Sequence, residues 1–256
     1  MIKAAFFDVD GTLVSHTTNT IPQSTQDTIA RMKKNGILCA LATGRSMLEL
    51  PMLPQGENEM DGFVTLNGQL ILDKDSNVIA AHPISGQAKE GLLALFSEKE
   101  TPILLVEKDR MYINFINDIV VEAQAKIHTP LPKIAEYSGD DVYLAIGFIS
   151  REEQDDLQRK LPGCLITRWG EHAVDIISDT GGKQVGIEEY LAHMNISDEE
   201  TIAFGDGEND LEMIRHAGIG VAMGNAEEMV KAVADYVTDD VDHDGIRNAA
   251  LHFGLI

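Results

Sequence analysis

The sequence predicts an α/β protein: a Rossmann-like parallel-sheet core interrupted by an inserted α+β domain. Three stretches carry that prediction. Residues 2–42 read as strand, helix, strand, and the same alternation returns after Gly181-Gly182. Between about 83 and 180, strands and helices come in mixed order instead. Alternating elements build a parallel sheet through right-handed crossovers, whereas a mixed order suits an antiparallel sheet with helices on it. The core is therefore expected to comprise 1–82 and 181–256, with the insert at 83–180. A chain of 256 residues has room for two such cores.

Taken in order, residues 2–7 form an apolar strand that ends at Asp8 and Gly11. Thr28, Ile29 and Met32 fall at helical spacing within 24–35, with Ser24 or Thr25 as the expected N-cap and Gly36 as the stop. Residues 37–42 make a second buried strand ending in Thr43-Gly44-Arg45. Short strands follow over 63–81, turning at Asn67-Gly68 and around Lys74–Asn77. The insert reads as a helix near 86–99, strands near 103–107 and 111–116, a helix near 118–127 and a Pro-containing loop from 128. A strand near 142–149, a helix near 151–160 and strands near 164–168 and 173–177 complete it. The core then resumes with a helix at 184–194, strand 201–205, helix 209–217, strand 219–222, helix 226–234, strand 236–237 and a last helix near 243–252.

Composition removes several function classes. The chain carries 42 acidic and 20 basic residues, a net charge of −22, which repels nucleic acid and anionic lipid. The same charge repels a phosphate ester, so a site for one needs a metal or selected Lys and Arg. No apolar run approaches the ~20 residues of a membrane span, and the N-terminus reaches Lys3 before a signal-peptide apolar region can form. Cys39 and Cys164 each sit in an apolar run and read as reduced core thiols. A cytoplasmic protein, monomeric or homodimeric, is expected. The eight histidines show no metal-ligand spacing, so zinc is not.

Four segments carry chemistry-bearing side chains to the ends of predicted strands, where ligands of open parallel sheets bind. Asp8 and Asp10, two residues apart and followed by Gly11, can share a hard cation such as Mg2+, and one of them can attack phosphorus in line. An Asx turn explains the same residues when they are taken alone. Thr43 and Gly44 offer a hydroxyl and an amide to a phosphate oxygen. Lys183 stands just before a helix, and Asp206 and Asp210 follow another strand.

In this order the four segments resemble the haloacid dehalogenase (HAD) superfamily of aspartate-nucleophile phosphotransferases, whose motifs are D-x-D-G-T, a Thr or Ser, a Lys, and G-D-x-x-x-D. The resemblance implies that Asp8 is the nucleophile and a magnesium ligand, and that Asp10 is the general acid/base and binds magnesium through its carbonyl. It implies that Thr43, Gly44, Lys183 and Asn209 hold the phosphoryl group, that Asp206 completes the magnesium site, and that Asp210 orients it from behind. Hydrolysis of phosphate monoesters needs enzymic accelerations of up to ~10^21, which demands such a metal and cation around a fixed nucleophile.

Motif spacing narrows the subclass. Asp8 and Thr43 are too close for an inserted domain, whereas 140 residues separate Thr43 from Lys183. An insert there corresponds in the superfamily to a C2-type cap. The segments GDGEND, LNG at 66–68 and DHDGI at 242–246 look like the Cof-type group with a C2B cap. Such proteins are mostly phosphatases of sugar phosphates and similar metabolites, so a small phosphomonoester is the expected substrate. A phosphomutase would carry its cap between the first two motifs, and a metabolite-binding regulator would have no need of intact Asp8, Asp10, Lys183 and Asp206. Arg45, beside the phosphate loop, and Arg168, next to the sole Trp at 169, are further candidates for contact with substrate or cap.

Overall fold

A computed structural model of the chain describes residues 1–50, 59–126 and 129–256. The expected last residue of the 118–127 helix and the first of the loop at 128 lie outside the described residues. The chain divides into two compact units, Met1–Ala80 with Gly182–Ile256, and Ala81–Gly181.

The first unit begins with β1 (Ala4–Phe7), α1 (Gln23–Lys34), β2 (Leu38–Ala42), β3 (Gly62–Thr65), β4 (Leu70–Asp73) and β5 (Val78–Ala81). All four residues of β1 are buried, as a central strand covered on both faces requires. Phe7 stacks on Phe204 at 5.0 Å between ring centroids, and Phe6 meets Tyr190 edge-on at 5.8 Å. Helix α1 buries Thr25, Thr28, Ile29 and Met32 and stops before Gly36, whose φ of +83° closes it. Its start corrects the expected cap. Pro22 is the N-cap, its fixed φ aiding entry to the helix, while Thr25 is turned inward.

The second unit contains α2 (Gly86–Glu98), β6 (Ile103–Val106), β7 (Met111–Ile113), α3 (Asp118–Lys126), β8 (Leu144–Gly147), α4 (Gln154–Lys160), β9 (Cys164–Gly170) and β10 (Ala173–Ser178). Its sheet is antiparallel, in the order β7-β6-β8-β10-β9. One sheet face, with Ile103, Leu105, Ala145, Val174 and Ile176, packs on Leu92 and Phe96 of α2 and Leu157 of α4. Strand β7 ends earlier than the apolar run suggests. The Asn114 carboxamide accepts from the Ile103 and Phe115 amides and donates to the Phe96 and Thr101 carbonyls, so its side chain takes one of the two ladder bonds to Ile103 while the Asn114 amide keeps the other (3.1 Å).

The chain returns to the first unit with α5 (Lys183–Met194), β11 (Thr201–Gly205), α6 (Leu211–His216), β12 (Ile219–Ala222), α7 (Glu228–Lys231), β13 (Tyr236–Val237) and α8 (Gly245–His252). Helix α8 starts later than expected because Asp244 adopts φ +62° and separates it from a short turn at Val241–His243. The sheet order is β13-β12-β11-β1-β2-β3-β4-β5, with β1 parallel to both β2 and β11. Chain progression therefore reverses between β1 and β11. At such a switch point the loops beyond the two strands diverge and leave a crevice at their carboxyl ends. This α/β fold class, a core sheet parallel from β13 to β3 with β4 antiparallel beside it and a separate antiparallel sheet of α+β type, is the one the sequence predicts. Among the described residues, no helix is long and apolar enough to cross a membrane.

Candidate active site

The carboxyl ends of β1, β2, β11 and β12, the turn after β3 and the start of α5 converge beyond the switch point. Asp8 follows β1 with its amide bonded to the Phe204 carbonyl of β11 (3.0 Å), so the two strand ends are locked side by side. Lys183, the first residue of α5, is buried and donates to Asp8 Oδ1 and Asp210 Oδ1, each at 2.6 Å. Asp210 is fully buried, and its other oxygen accepts from the amides of Asp206 and Gly207 at 3.0 and 3.1 Å. Asp206 accepts from the Thr12 hydroxyl (2.7 Å) and the Asn225 amide (3.0 Å).

Two glycines permit this approach. At Gly11, with φ +83°, a Cβ would stand 2.2 Å from Asp206 Oδ2. At Gly68, with φ +81°, it would stand 1.9 Å from the Gly182 carbonyl, so a side chain there would push the Asn67 turn off the start of α5.

The phosphate-loop candidates sit on a second turn. Thr43 is buried and accepts from the Arg45 amide at 3.1 Å. Its carbonyl accepts from the Asn67 amide, and the Arg45 carbonyl accepts from the Leu66 amide, so this loop and the turn after β3 are one knit. The Asn67 side chain accepts from Asn209 at 3.1 Å and packs beside Gly44.

Electrostatics mark the cluster. Burial, aided by Asp210 and Asp206, pushes the Asp8 carboxyl well above the ordinary range despite the opposing pull of Lys183. Burial likewise raises Asp206 to about 6, against the Thr12 hydrogen bond. Lys183 is held protonated: burial alone would lower its pKa, but Asp210 and Asp8 outweigh that cost.

A family model described as haloacid dehalogenase-like hydrolase matches residues 5–249. The chain belongs to that family. YkrA of Bacillus subtilis (strain 168), provisionally named as a phosphatase, is 34% identical over 99% of this chain and 98% of its own length. The HAD phosphatase BT1666 from Bacteroides thetaiotaomicron superposes with a TM-score of 0.92 at 31% identity, covering 100% of this chain and 96% of that one. The sugar phosphatase BT4131, of HAD subclass IIB, gives a TM-score of 0.89 at 37% identity over 99% of this chain and 100% of its own. The protein is thus an enzyme, a Cof-type HAD phosphatase.

In this hydrolase the carboxylate oxygens of Asp8, Asp206 and Asp210 lie within 4.8 Å of one another. With one buried lysine among three acids, the full cluster carries an excess of two negative charges when ionised. Oxygen donors with unbalanced charge suit a hard divalent cation such as Mg2+. Asp210 spends both oxygens on Lys183 and backbone amides, which leaves Asp8 and Asp206 as the carboxylates better placed to ligate. The Asp10 side chain is not in this group. It faces Arg45, which donates to its two oxygens at 2.7 and 2.5 Å.

Two further candidates have partners within their own unit. Arg45, a candidate for contact with substrate or cap, donates to both Asp10 oxygens and to the Glu49 carbonyl (3.1 Å). Arg168 donates to Gln154 and to the carbonyls of Ile149, Ser150, Gly170 and Glu171, so it ties the β9–β10 hairpin to the start of α4 rather than presenting a free cation. Sequence reasoning passed over Asn225, which donates to both Asp206 and the Gly11 carbonyl (2.9 Å). Applying the strand-end rule to β12 as well would have pointed to it. Asn67 read only as a turn residue, yet its φ of +55° aims it at Asn209.

Proposed function

We propose that the enzyme hydrolyses a small phosphomonoester, a sugar phosphate or similar metabolite, through an aspartyl-phosphate on Asp8. The observation that carries this reading is the buried Lys183 ammonium between Asp8 and Asp210, with Asp206 adjacent. It is a nucleophile held beside a fixed cation and a cation-deficient acid cluster, the arrangement phosphoryl transfer requires.

In this reading the Asp8 carboxylate attacks phosphorus as the ester P–O bond breaks, and the leaving oxygen takes a proton from Asp10. Asp10, now a base, takes a proton from water as the water attacks the aspartyl-phosphate, which frees Asp8 and inorganic phosphate. Thr43, Gly44, Lys183 and Asn209 hold the phosphoryl oxygens. Mg2+, held by Asp8, Asp206 and the Asp10 carbonyl, would supply charge neutralisation at the phosphoryl group. The second unit serves as a C2B-type cap that selects the substrate. The name of BT4131 as a sugar phosphatase supports the substrate class, and the free thiols Cys39 and Cys164 support a reducing, cytoplasmic setting.

The test is phosphate release from phosphorylated sugars and from p-nitrophenyl phosphate, with Mg2+ and with EDTA. Activity should require the metal and vanish in Asp8→Asn. Wild-type activity no greater than that of Asp8→Asn would sink the phosphatase mechanism and leave a metabolite-binding role.

A further inference from the structure

Lys183 holds the Asp8 carboxylate, Thr12 and Asn225 hold that of Asp206, and Lys183 with two backbone amides holds that of Asp210, whereas among the described residues Asp10 is tied to none of these groups. Its side chain is 40% exposed, and the hydrogen bonds to its carboxylate come from Arg45. A half-exposed Asp side chain in a loop ordinarily samples several rotamers, and a proton donor that wanders loses the geometry that proton transfer needs. Arg45 is well fitted to prevent this. Its amide donates to Thr43 Oγ1, its carbonyl accepts from Leu66, and its Nη1 donates to the Glu49 carbonyl. Glu49 is fixed in turn, accepting from the Ser46 amide (2.9 Å) and hydroxyl (3.0 Å). The guanidinium is therefore anchored at both ends before it meets Asp10, and its planar fork matches a carboxylate.

We propose that Arg45 is a positioning residue that fixes the orientation of the Asp10 carboxylate for proton transfer. A carboxylate has about four lone-pair sites, and the fork uses one on each oxygen, leaving the others in a defined direction. Because the segment Thr43–Arg45 also carries the proposed phosphate loop, Arg45 couples the placement of the acid/base to that of the phosphoryl group. The inference rests on the acid/base role of Asp10 proposed above.

The test compares Arg45→Met and Arg45→Lys with wild type on an alkyl phosphate and on p-nitrophenyl phosphate. For Arg45→Met, kcat/KM should fall about 10^2-fold on the alkyl ester, whose alkoxide needs a proton, and much less on the nitrophenyl ester, whose phenolate leaves without one. Arg45→Lys should not rescue, because one ammonium cannot replace the fork. In an Asp10→Asn background, Arg45→Met should cause no further loss, and competitive inhibition by inorganic phosphate should be unchanged. A crystal structure of Arg45→Met should show the Asp10 carboxylate displaced or in several rotamers. Equal losses on both esters with weakened phosphate inhibition would overturn the proposal and make Arg45 a phosphate ligand. An unmoved Asp10, or an active wild type with unaltered Arg45→Met kinetics, would overturn it while leaving the phosphatase mechanism intact. A wild type inactive on both esters would take down both.

Discussion

Asp210→Asn isolates the contribution of one buried carboxylate that neither attacks nor protonates anything. Asp210 is fully buried and accepts three hydrogen bonds: one from the Lys183 ammonium at 2.6 Å and two from the backbone amides of Asp206 and Gly207. Asparagine has nearly the same shape but one acceptor oxygen. If that oxygen faces the two amides, its NH2 group faces the Lys183 ammonium, donor against donor. If it faces Lys183, the two amides are left without an acceptor. Either rotamer leaves buried donors unsatisfied and removes half the counter-charge of Lys183. Breaking a buried ion pair costs about 3–5 kcal/mol, and hydrogen bonds to charged groups are each worth about 1.5–3 kcal/mol. Taking ~3–5 kcal/mol for the whole change, the thermal midpoint of the first unit should drop by roughly 6–20 °C. Asp8→Asn should cost less in metal-free protein. Lys183 keeps Asp210, and the change neutralises a carboxylate whose ionisation burial opposes. Near-UV circular dichroism melts in EDTA measure both variants. An Asp210→Asn midpoint within about 3 °C of wild type would refute the argument that Asp210 is the buried anchor of Lys183.

Two further outcomes follow from the same geometry. Burial raises Asp206 to about 6 against an ordinary 3.8, so the folded metal-free protein holds a proton there that the unfolded chain releases first. Stability should therefore fall as pH rises from about 4 to 6, by on the order of 2–3 kcal/mol, and stay lowered above that window. Mg2+ relieves that penalty, so its stabilising increment should be larger at pH 7.5 than at pH 5; increments independent of pH would contradict it. Arg168→Ala removes the guanidinium bonds to Gln154 and to four carbonyls and should destabilise the second unit by about 1–3 kcal/mol in urea unfolding. Altered substrate preference without any loss of stability would instead restore Arg168 to a substrate contact.

Much of the fold was legible because its signals are local. Predominantly apolar runs at 2–7, 37–42 and 201–205 announce strands buried on both faces, and the observed strands at Ala4–Phe7, Leu38–Ala42 and Thr201–Gly205 lie within them. Boundaries failed where a side chain overrode the pattern: Pro22 in place of Ser24 or Thr25 as the cap of α1, Asn114 ending β7, and Asp244 separating α8 from the turn before it. Periodicity does not register a fixed or left-handed φ at one residue, as at Pro22 and Asp244, nor the bonds of Asn114 to residues of neighbouring segments. Candidate residues were found by their place at strand ends, a rule of topology that sequence order alone can use.

The sequence by itself determined which residues arrive at the carboxyl ends of the strands, since strand periodicity and the turn chemistry of Gly11, Gly44 and Gly207 are written in neighbouring positions. It also determined the charge problem, because a chain of net charge −22 can hold a phosphate ester only beside local cations. Only the tertiary structure decided who pairs with whom. Lys183 lies 175 residues from Asp8 and 27 from Asp210, yet one ammonium serves both at 2.6 Å. Arg45 lies 35 residues from Asp10 and donates to both of its carboxylate oxygens. Such pairings depend on distances below 3 Å between side chains that the fold alone brings together. At that range a hydrogen-bonded charge either has its partner or bears the cost of burial without one.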